Sequence, residues 1–306
     1  MSMRAGAATA RAFARTAAVR AQEPAILTCA VSGGVVTTNP NQPVSQADVI
    51  AAAVDAARAG ASVLHIHART AGGEISQAPA DYLAIKHAIH EQAGEDVVLN
   101  FTTGGQLATG GQLQEPDRES RRAIDAGPEL ATVNCGSMNF GSGDDVLLNP
   151  RSLIAEVAEE LAERGIVPEY ECFDIGMALT AAKLAGAAQG PPGMMHMILG
   201  VAGGAPASAA TVSLFAGLVP DGVPWAVTAI PRHFPTMALT LALGGHIRTG
   251  LEDVVYTAPG EHAESNGQLV TRARTLCEAL GRPVATPAQA REILGVGLTA
   301  QSPDRG

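Results

Sequence analysis

Two histidines one residue apart, His65 and His67, close the apolar run Val63-Leu64-His65-Ile66-His67-Ala68-Arg69. If that run is a strand, its two-residue period puts both imidazoles on one face, at the C-terminal end. Two imidazoles and a carboxylate from elsewhere make a three-ligand metal site with one coordination position open, as a catalytic zinc requires. Far along the chain, Gly244-Gly245-His246-Ile247-Arg248-Thr249-Gly250-Leu251-Glu252-Asp253 offers two carboxylates, Glu252 and Asp253, shortly after an arginine. A His-x-His pair alone fits packed or surface histidines equally well, so the metal reading depends on the rest of the chain.

The spacing recurs. Candidate strands carry polar residues two apart near their C-terminal ends at His65/His67, Asn100/Thr102, Thr132/Asn134, Glu169/Glu171 and His246/Arg248. In a parallel barrel such pairs point inward at the top, where these enzymes place their chemistry. Burying a polar group unsatisfied costs about 1–3 kcal/mol, so the repetition points to a polar ligand at the barrel mouth. A hydrogen-bond network that satisfies itself is the alternative. The glycine pairs Gly104-Gly105, Gly203-Gly204 and Gly244-Gly245 fall at strand–loop junctions, where backbone amides can approach a carboxylate or phosphate. An ordinary turn accounts for any one of them.

The elements that must position these residues follow from the alternation of short apolar runs with longer Ala- and Leu-rich segments. Strands are predicted to begin near Ile26, Ser62, Asp96, Leu130, Pro168, Met194, Trp225 and His246. Helices are predicted over Ser45–Arg58, Ala80–Gln92, Arg118–Ala126, Pro150–Arg164, Gly176–Ala188, Ala207–Leu218, Pro235–Leu243 and Glu261–Leu280. Ser45 suits an N-cap, and Gly60 and Gly165 suit helix ends before a strand. Strand–helix pairs in this number and order match an α/β fold of the (β/α)8 TIM-barrel type. No linker divides the chain, so a single catalytic barrel is expected over 23–297. A flexible N-terminal extension (1–22) and a C-terminal tail (298–306) flank it.

Composition narrows the partners. With 46% apolar and only 3% aromatic residues, the core must be built from Ala, Val, Leu and Ile. A formal charge of −10 argues against nucleic acid or an anionic membrane surface as a general partner. The segment between Lys183 and Asp221 lacks Asp, Glu, Lys and Arg, but Pro191, Pro192 and Pro206 break it into pieces too short to span a bilayer. Cys29, Cys135, Cys172 and Cys277 form no Cys-x-x-Cys pair, and most fall in predicted strands, which fits a reduced, cytoplasmic setting. Residues 1–22 carry Arg4, Arg11, Arg15 and Arg20 and no acid, a transit-peptide-like composition that an Ala- and Arg-rich extension explains equally.

Several blocks together resemble the β-keto acid cleavage enzyme family: Ile26-Leu27-Thr28-Cys29-Ala30-Val31-Ser32-Gly33, His65-Ile66-His67-Ala68-Arg69, Thr102-Thr103-Gly104-Gly105 and Asn134-Cys135-Gly136-Ser137-Met138-Asn139-Phe140-Gly141. So do Pro168 through Met177, Gly244 through Asp253, Glu264-Ser265-Asn266 and Gly281 through Pro287, in order from about residue 24 to 295. The resemblance implies a zinc-dependent (β/α)8 enzyme, usually a homotetramer, that condenses a β-keto acid with acetyl-CoA and releases acetoacetate and a CoA ester. It implies His65, His67 and Glu252 as zinc ligands and Asp253 as the base, assisted by Glu171 and Thr102. Arg248 would stabilise anionic intermediates. Ser32, Gly104, Gly105, Thr132 and Asn134 would line the substrate, and Gly203, Gly204 and Arg232 would bind CoA. The implied course is enolate attack on the thioester, transfer of the CoA sulfur to the old keto carbon and a retro-Claisen break.

Two departures stand out. Family members acting on an amino-substituted keto acid carry an acid just after the first strand, where this chain has Val35 and Val36, so a neutral, apolar substrate is expected. Glu74 or Glu115 could still reach in from a loop. Val254 replaces a polar residue common after the Glu-Asp pair. Other readings are an amidohydrolase-type metal hydrolase, a metal-dependent aldolase or acyl-CoA lyase, and a non-catalytic acid-binding barrel. The first places its His-x-His at the end of the first strand, whereas here it ends the second; acetyl-CoA dependence separates the next; the intact Arg248, Glu252 and Asp253 set argues against the last.

Overall fold

The computed structural model describes residues 23–94, 96–104, 119–141, 143–188 and 190–297. Eight parallel strands run through them: β1 (Leu27–Ala30), β2 (Val63–Ile66), β3 (Val98–Phe101), β4 (Leu130–Asn134), β5 (Val167–Cys172), β6 (Met194–Leu199), β7 (Trp225–Ala229) and β8 (Ile247–Thr249). They hydrogen bond in the order β8-β1-β2-β3-β4-β5-β6-β7, and a parallel bridge between Ala226 and His246 joins β7 to β8. The chain is a TIM barrel.

The helices α1 (Gln46–Ala59), α2 (Pro79–Ala93), α3 (Arg151–Glu163), α4 (Ile175–Ala187), α5 (Ala209–Leu218), α6 (His233–Ala242) and α7 (Asn266–Ala279) surround it, and α8 (Pro287–Leu294) follows. Ser45 starts α1 in a reciprocal capping box with Asp48, and Gly60 ends it in the left-handed region at φ 111°. Outward strand residues pack on these helices: Leu64, Ile66 and Phe101 against α1 and α2, Cys172, Met195 and Met197 against α4 and α5. Among the described residues no helix is long and apolar enough to cross a membrane.

Inside the barrel, two environments are stacked. Ile26, Val63, Val98, Leu130, Val167, Met194 and Ala226, at or beside the starts of seven strands, cluster with Ala285, Ala290 and Leu294, so α8 plugs the bottom. Above that apolar floor the inward positions turn polar, because register aligns them: His65 pairs with Asn100, Thr132 with Glu169, and Asn134 with Glu171.

The differences from the sequence expectations have local causes. The third helix, expected from Arg118 (outside the described residues), is a 3-10 helix over Glu119–Ala126. Gly127 at φ 61° precedes Pro128 and ends it. The helix expected from Glu261 starts at Asn266, since Glu261–His262 pairs with Tyr256–Ala258 in a hairpin and Ser265 is the N-cap. Helix α8 was not anticipated, although Thr286-Pro287 and Gln289 spell a capping box with Pro in the first turn. His246 is a further correction. It lies at the entrance of β8, where its Nδ1 accepts from the Ile26 N–H at 3.1 Å, so only Arg248 of that pair reaches the mouth.

Candidate metal and acid–base site

The turn after β8 delivers the carboxylates. Gly250 has φ 140°, and a Cβ there would lie 2.0 Å from the Ala30 carbonyl oxygen, so only glycine lets this turn close onto β1. The N–H groups of Asp253 and Val254 both donate to the Gly250 carbonyl, at 3.1 and 2.9 Å, and that of Glu252 donates to the Ala30 carbonyl at 3.3 Å. Buried Asn266 at the start of α7 ties the turn down: its Oδ1 accepts from Leu251 N–H at 2.9 Å and its Nδ2 donates to the Val31 carbonyl at 2.9 Å.

Glu252 thereby reaches the two histidines. Its Oε2 lies 3.7 Å from His65 Nε2 and its Oε1 3.7 Å from His67 Nε2. Gly33 leaves the room for this, since a Cβ at that position would stand 2.7 Å from Glu252 Cγ. One ligand atom from each of His65, His67 and Glu252 falls within 4.8 Å of the others.

Arg248 organises the remaining charges. Its Nε and one terminal nitrogen donate to the two oxygens of Asp253 at 2.9 and 3.1 Å, while its other nitrogen donates to Glu171 Oε1 at 3.1 Å. It also donates to Glu252 Oε1 at 2.5 Å. Burial works against the Arg248 charge, but Asp253, Glu252 and Glu171 outweigh it and hold its pKa well above the usual value. Burial alone would raise Glu252 too, yet Arg248 and the two histidines hold it well below the carboxylate range. Asp253 is raised by burial and by Glu252, against the pull of Arg248. Glu171 is pushed up to about 8, chiefly by burial, although it is paired with Arg248. The reason is stoichiometry: one guanidinium cannot compensate three buried carboxylates.

That surplus of negative charge bears on a metal. Protons can relieve it, as the raised Glu171 and Asp253 show; a divalent cation would relieve it directly. Glu252 Oε2 is buried with no hydrogen-bond partner among the described residues. Burial, opposed by Glu252, lowers His65 to about 3, so its ring is the neutral form that ligates. Two imidazole nitrogens and a carboxylate oxygen are donors that zinc accepts, and the residues present fit the ion.

Of the other expected residues, Thr102, Thr132 and Asn134 lie in or just after β3 and β4, and Ser32 lies in the loop after β1. Thr102 Oγ1 accepts from the Gly104 N–H at 3.0 Å, and Thr132 Oγ1 accepts from the Thr103 N–H at 3.0 Å. Asn134 stands beside Gly104, whose added Cβ would lie 3.5 Å from its Nδ2. Gly105 lies outside the described residues, as does Glu115. Ser32 is fully buried, and its hydroxyl has no partner among the described residues. Its loop is held by Gln42, which donates to the carbonyls of Ser32 and Val35. Arg69 holds the same loop, donating to the Gly33 carbonyl at 3.2 Å and the Gly73 carbonyl at 3.0 Å. Val35 and Val36 are 56% and 62% exposed, and Val254 packs in an apolar cluster with Leu251, Ala263 and Leu269.

Gly203, Gly204 and Arg232 line a cavity of about 400 Å³ with Gly200, Pro206 and Pro231, beside the ends of β6 and β7. Gly203 has φ 94° and abuts the Asn139 carbonyl, and the Gly204 N–H is taken by the Val201 carbonyl at 2.9 Å. These two glycines therefore shape the cavity wall as a turn, and the Gly204 amide is already spent. Arg232 is exposed at the rim.

Sequence reading passed over His196, buried in β6 with Nδ1 2.7 Å from Glu169 Oε1 and Nε2 2.8 Å from Thr228 Oγ1. Its signal was present but weak: a single polar residue in the apolar run Met194–Leu199. Glu169 itself is drawn down to about 2, because its hydrogen bond and charge interaction with His196 overcome a large burial penalty.

The sequence and fold have counterparts among known proteins. Residues 24–296 match the family described as beta-keto acid cleavage enzyme. The chain is 36% identical over 281 residues to 3-keto-5-aminohexanoate cleavage enzyme of Acetoanaerobium sticklandii, covering 90% of this chain and 99% of that protein. It is 32% identical over 283 residues to 3-oxoadipate:acetyl-CoA acetyltransferase of Cupriavidus necator, covering 90% and 95%. Among solved structures, the binary complex of ObcA with oxaloacetate superposes with a TM-score of 0.67 at 20% identity, covering 84% of this chain and 68% of that one, which is a likeness of fold.

Proposed function

Because the chain belongs to the beta-keto acid cleavage enzyme family, we propose that it condenses a β-keto acid with acetyl-CoA, yielding acetoacetate and the CoA ester of the remaining acyl fragment. The observation that carries this reading is the convergence of His65, His67 and Glu252 beside an arginine shared by Glu171, Glu252 and Asp253. That set suits a substrate whose keto and carboxylate oxygens lie side by side. A zinc ion held by His65, His67 and Glu252 would supply Lewis acidity to those oxygens.

The chain's own residues then divide the work. Asp253, raised by burial, accepts the α-proton, with Glu171 and Thr102 assisting. The enolate carbon forms a bond to the acetyl carbonyl carbon and the thioester C–S bond breaks. The released thiolate adds to the old keto carbon. The original bond between keto and α-carbon then breaks, its electrons return to the α-carbon, which takes back the proton held by Asp253, and acetoacetate leaves. Arg248 faces the oxyanions that develop on the way, already oriented by its carboxylates. Ser32, Gly104, Gly105, Thr132 and Asn134 line the substrate, and the cavity at Gly203, Gly204 and Arg232 takes part of CoA. The assembly in this reading is a homotetramer.

Screening CoA ester formation across β-keto acids with acetyl-CoA tests the proposal. Acetoacetate and a new CoA ester are expected in equal amounts. Cleavage that proceeds without acetyl-CoA would replace this reading with that of an aldolase or lyase.

A further inference from the structure

Beneath the metal ligands runs a row of polar side chains that the proposed reaction does not use. Asn100 of β3, Glu169 of β5, His196 of β6 and Thr228 of β7 are at most 1% exposed. Asn100 Nδ2 donates to Glu169 Oε2, Glu169 Oε1 pairs with His196 Nδ1 at 2.7 Å, and His196 Nε2 meets Thr228 Oγ1 at 2.8 Å. Glu169, Glu171 and His196 lie close enough together to suggest a second ion. Both nitrogens of His196 and both oxygens of Glu169 are already engaged, so this is not a second metal centre.

The row has an unspent end. Asn100 Oδ1 and His65 Nδ1 are both buried and without a hydrogen-bond partner among the described residues. They belong to residues directly paired across β2 and β3. The amide orientation of Asn100 follows from chemistry: an ionised Glu169 only accepts, so the NH2 group faces it and the oxygen faces away. His65 presents Nε2 to Glu252, which leaves Nδ1 to carry the proton. A metal-bound histidine nearly always gives its second N–H to an acceptor, and losing that acceptor weakens metal binding.

No hydrogen bond joins Asn100 Oδ1 and His65 Nδ1 in this structure, although one is an acceptor and the other a donor on paired residues. We propose that Asn100, Glu169, His196 and Thr228 form a positioning relay across the barrel, and that with the ion bound Asn100 Oδ1 accepts the His65 Nδ1–H and so keeps Nε2 of His65 as the metal-binding atom. The proposal rests on the metal reading above.

Metal-free wild type, Asn100→Leu and Thr228→Val would each be titrated with zinc against a chromophoric chelator. The thermal midpoint of each apoprotein would be recorded, and the His65 ring tautomer of the zinc-loaded wild type read from imidazole nitrogen spectra. Zinc binding is expected to weaken about 10–100-fold in Asn100→Leu and several-fold in Thr228→Val. The spectra are expected to show Nδ1 of His65 protonated and Nε2 bound to the ion, a readout that stands even if Asn100→Leu does not fold. A lowered thermal midpoint with unchanged zinc affinity, or an ion bound through Nδ1, overturns the relay and leaves the metal reading intact. A wild type that binds no zinc overturns the metal reading, and the relay with it.

Discussion

Adjacent carboxylates take different partners here, although both accept from one terminal nitrogen of Arg248. Glu252 reaches the histidines, whereas both oxygens of Asp253 accept from Arg248. His65→Ala and Glu252→Ala should each lose the zinc, about one ion per chain in the wild type, because two ligands rarely hold it firmly; metal analysis of the folded variants checks this. Asp253→Asn should keep the ion and the fold but lose turnover by at least about 100-fold, measured as kcat. Retention of activity within a few-fold would move the base to Glu171. Glu169 has a pH consequence. Its folded pKa of about 2 lies below the unfolded carboxylate value, about 4.3. The stability it contributes is therefore full above about pH 4.3 and is lost as pH falls toward 2. The gap in unfolding midpoint between wild type and Glu169→Gln should be wide at pH 7 and narrow at pH 3.

At the scale of elements, loops set the geometry that strands only frame. The β8 turn is closed by Gly250 and pinned by Asn266, and the β1 loop gives Glu252 its space at Gly33. Gly33→Ala should therefore reduce zinc affinity, since its Cβ would press on Glu252, and should also lower stability, because its φ of 71° is unfavourable to alanine. Paired metal titration and urea unfolding check the two effects. The same loop carries Val35 and Val36, whose exposed side chains offer apolar surface and no carboxylate. Each substrate methylene laid on them would gain about 0.8 kcal/mol, and an ammonium would find no counter-charge there. Catalytic efficiency should be higher on 3-ketohexanoate than on 3-keto-5-aminohexanoate at fixed acetyl-CoA; equal values would show that the pair does not set the pocket's polarity.

Over the whole molecule, stability and chemistry occupy opposite ends of the barrel. The floor is apolar and closed by α8; the mouth is polar and charged. Leu294, 1% exposed in that floor, should cost about 2–5 kcal/mol when changed to alanine, read from denaturant unfolding. The kcat of Leu294→Ala should stay at the wild-type value, because the cavity opens far from the carboxylates.

The strands, their order and the inward polar residues were legible in the sequence because a period of two and the punctuation by Gly and Pro are local properties of the chain. The His65/His67 pair could be read for the same reason, whereas Glu252 and Asp253, adjacent on a turn, show no such period and were assigned by the family resemblance. Tertiary structure alone decided that His246 serves the entrance of β8 while Arg248 serves the mouth, since the point where a strand enters the barrel depends on its neighbours' register. It alone brought His196, hidden in an apolar run, against Glu169 on the next strand. It also decided the charge states: how far burial raises Glu171 and lowers His65 depends on what surrounds them, and those surroundings come from segments far apart in the chain, such as Arg248 beside Glu171 and Glu252 beside His65.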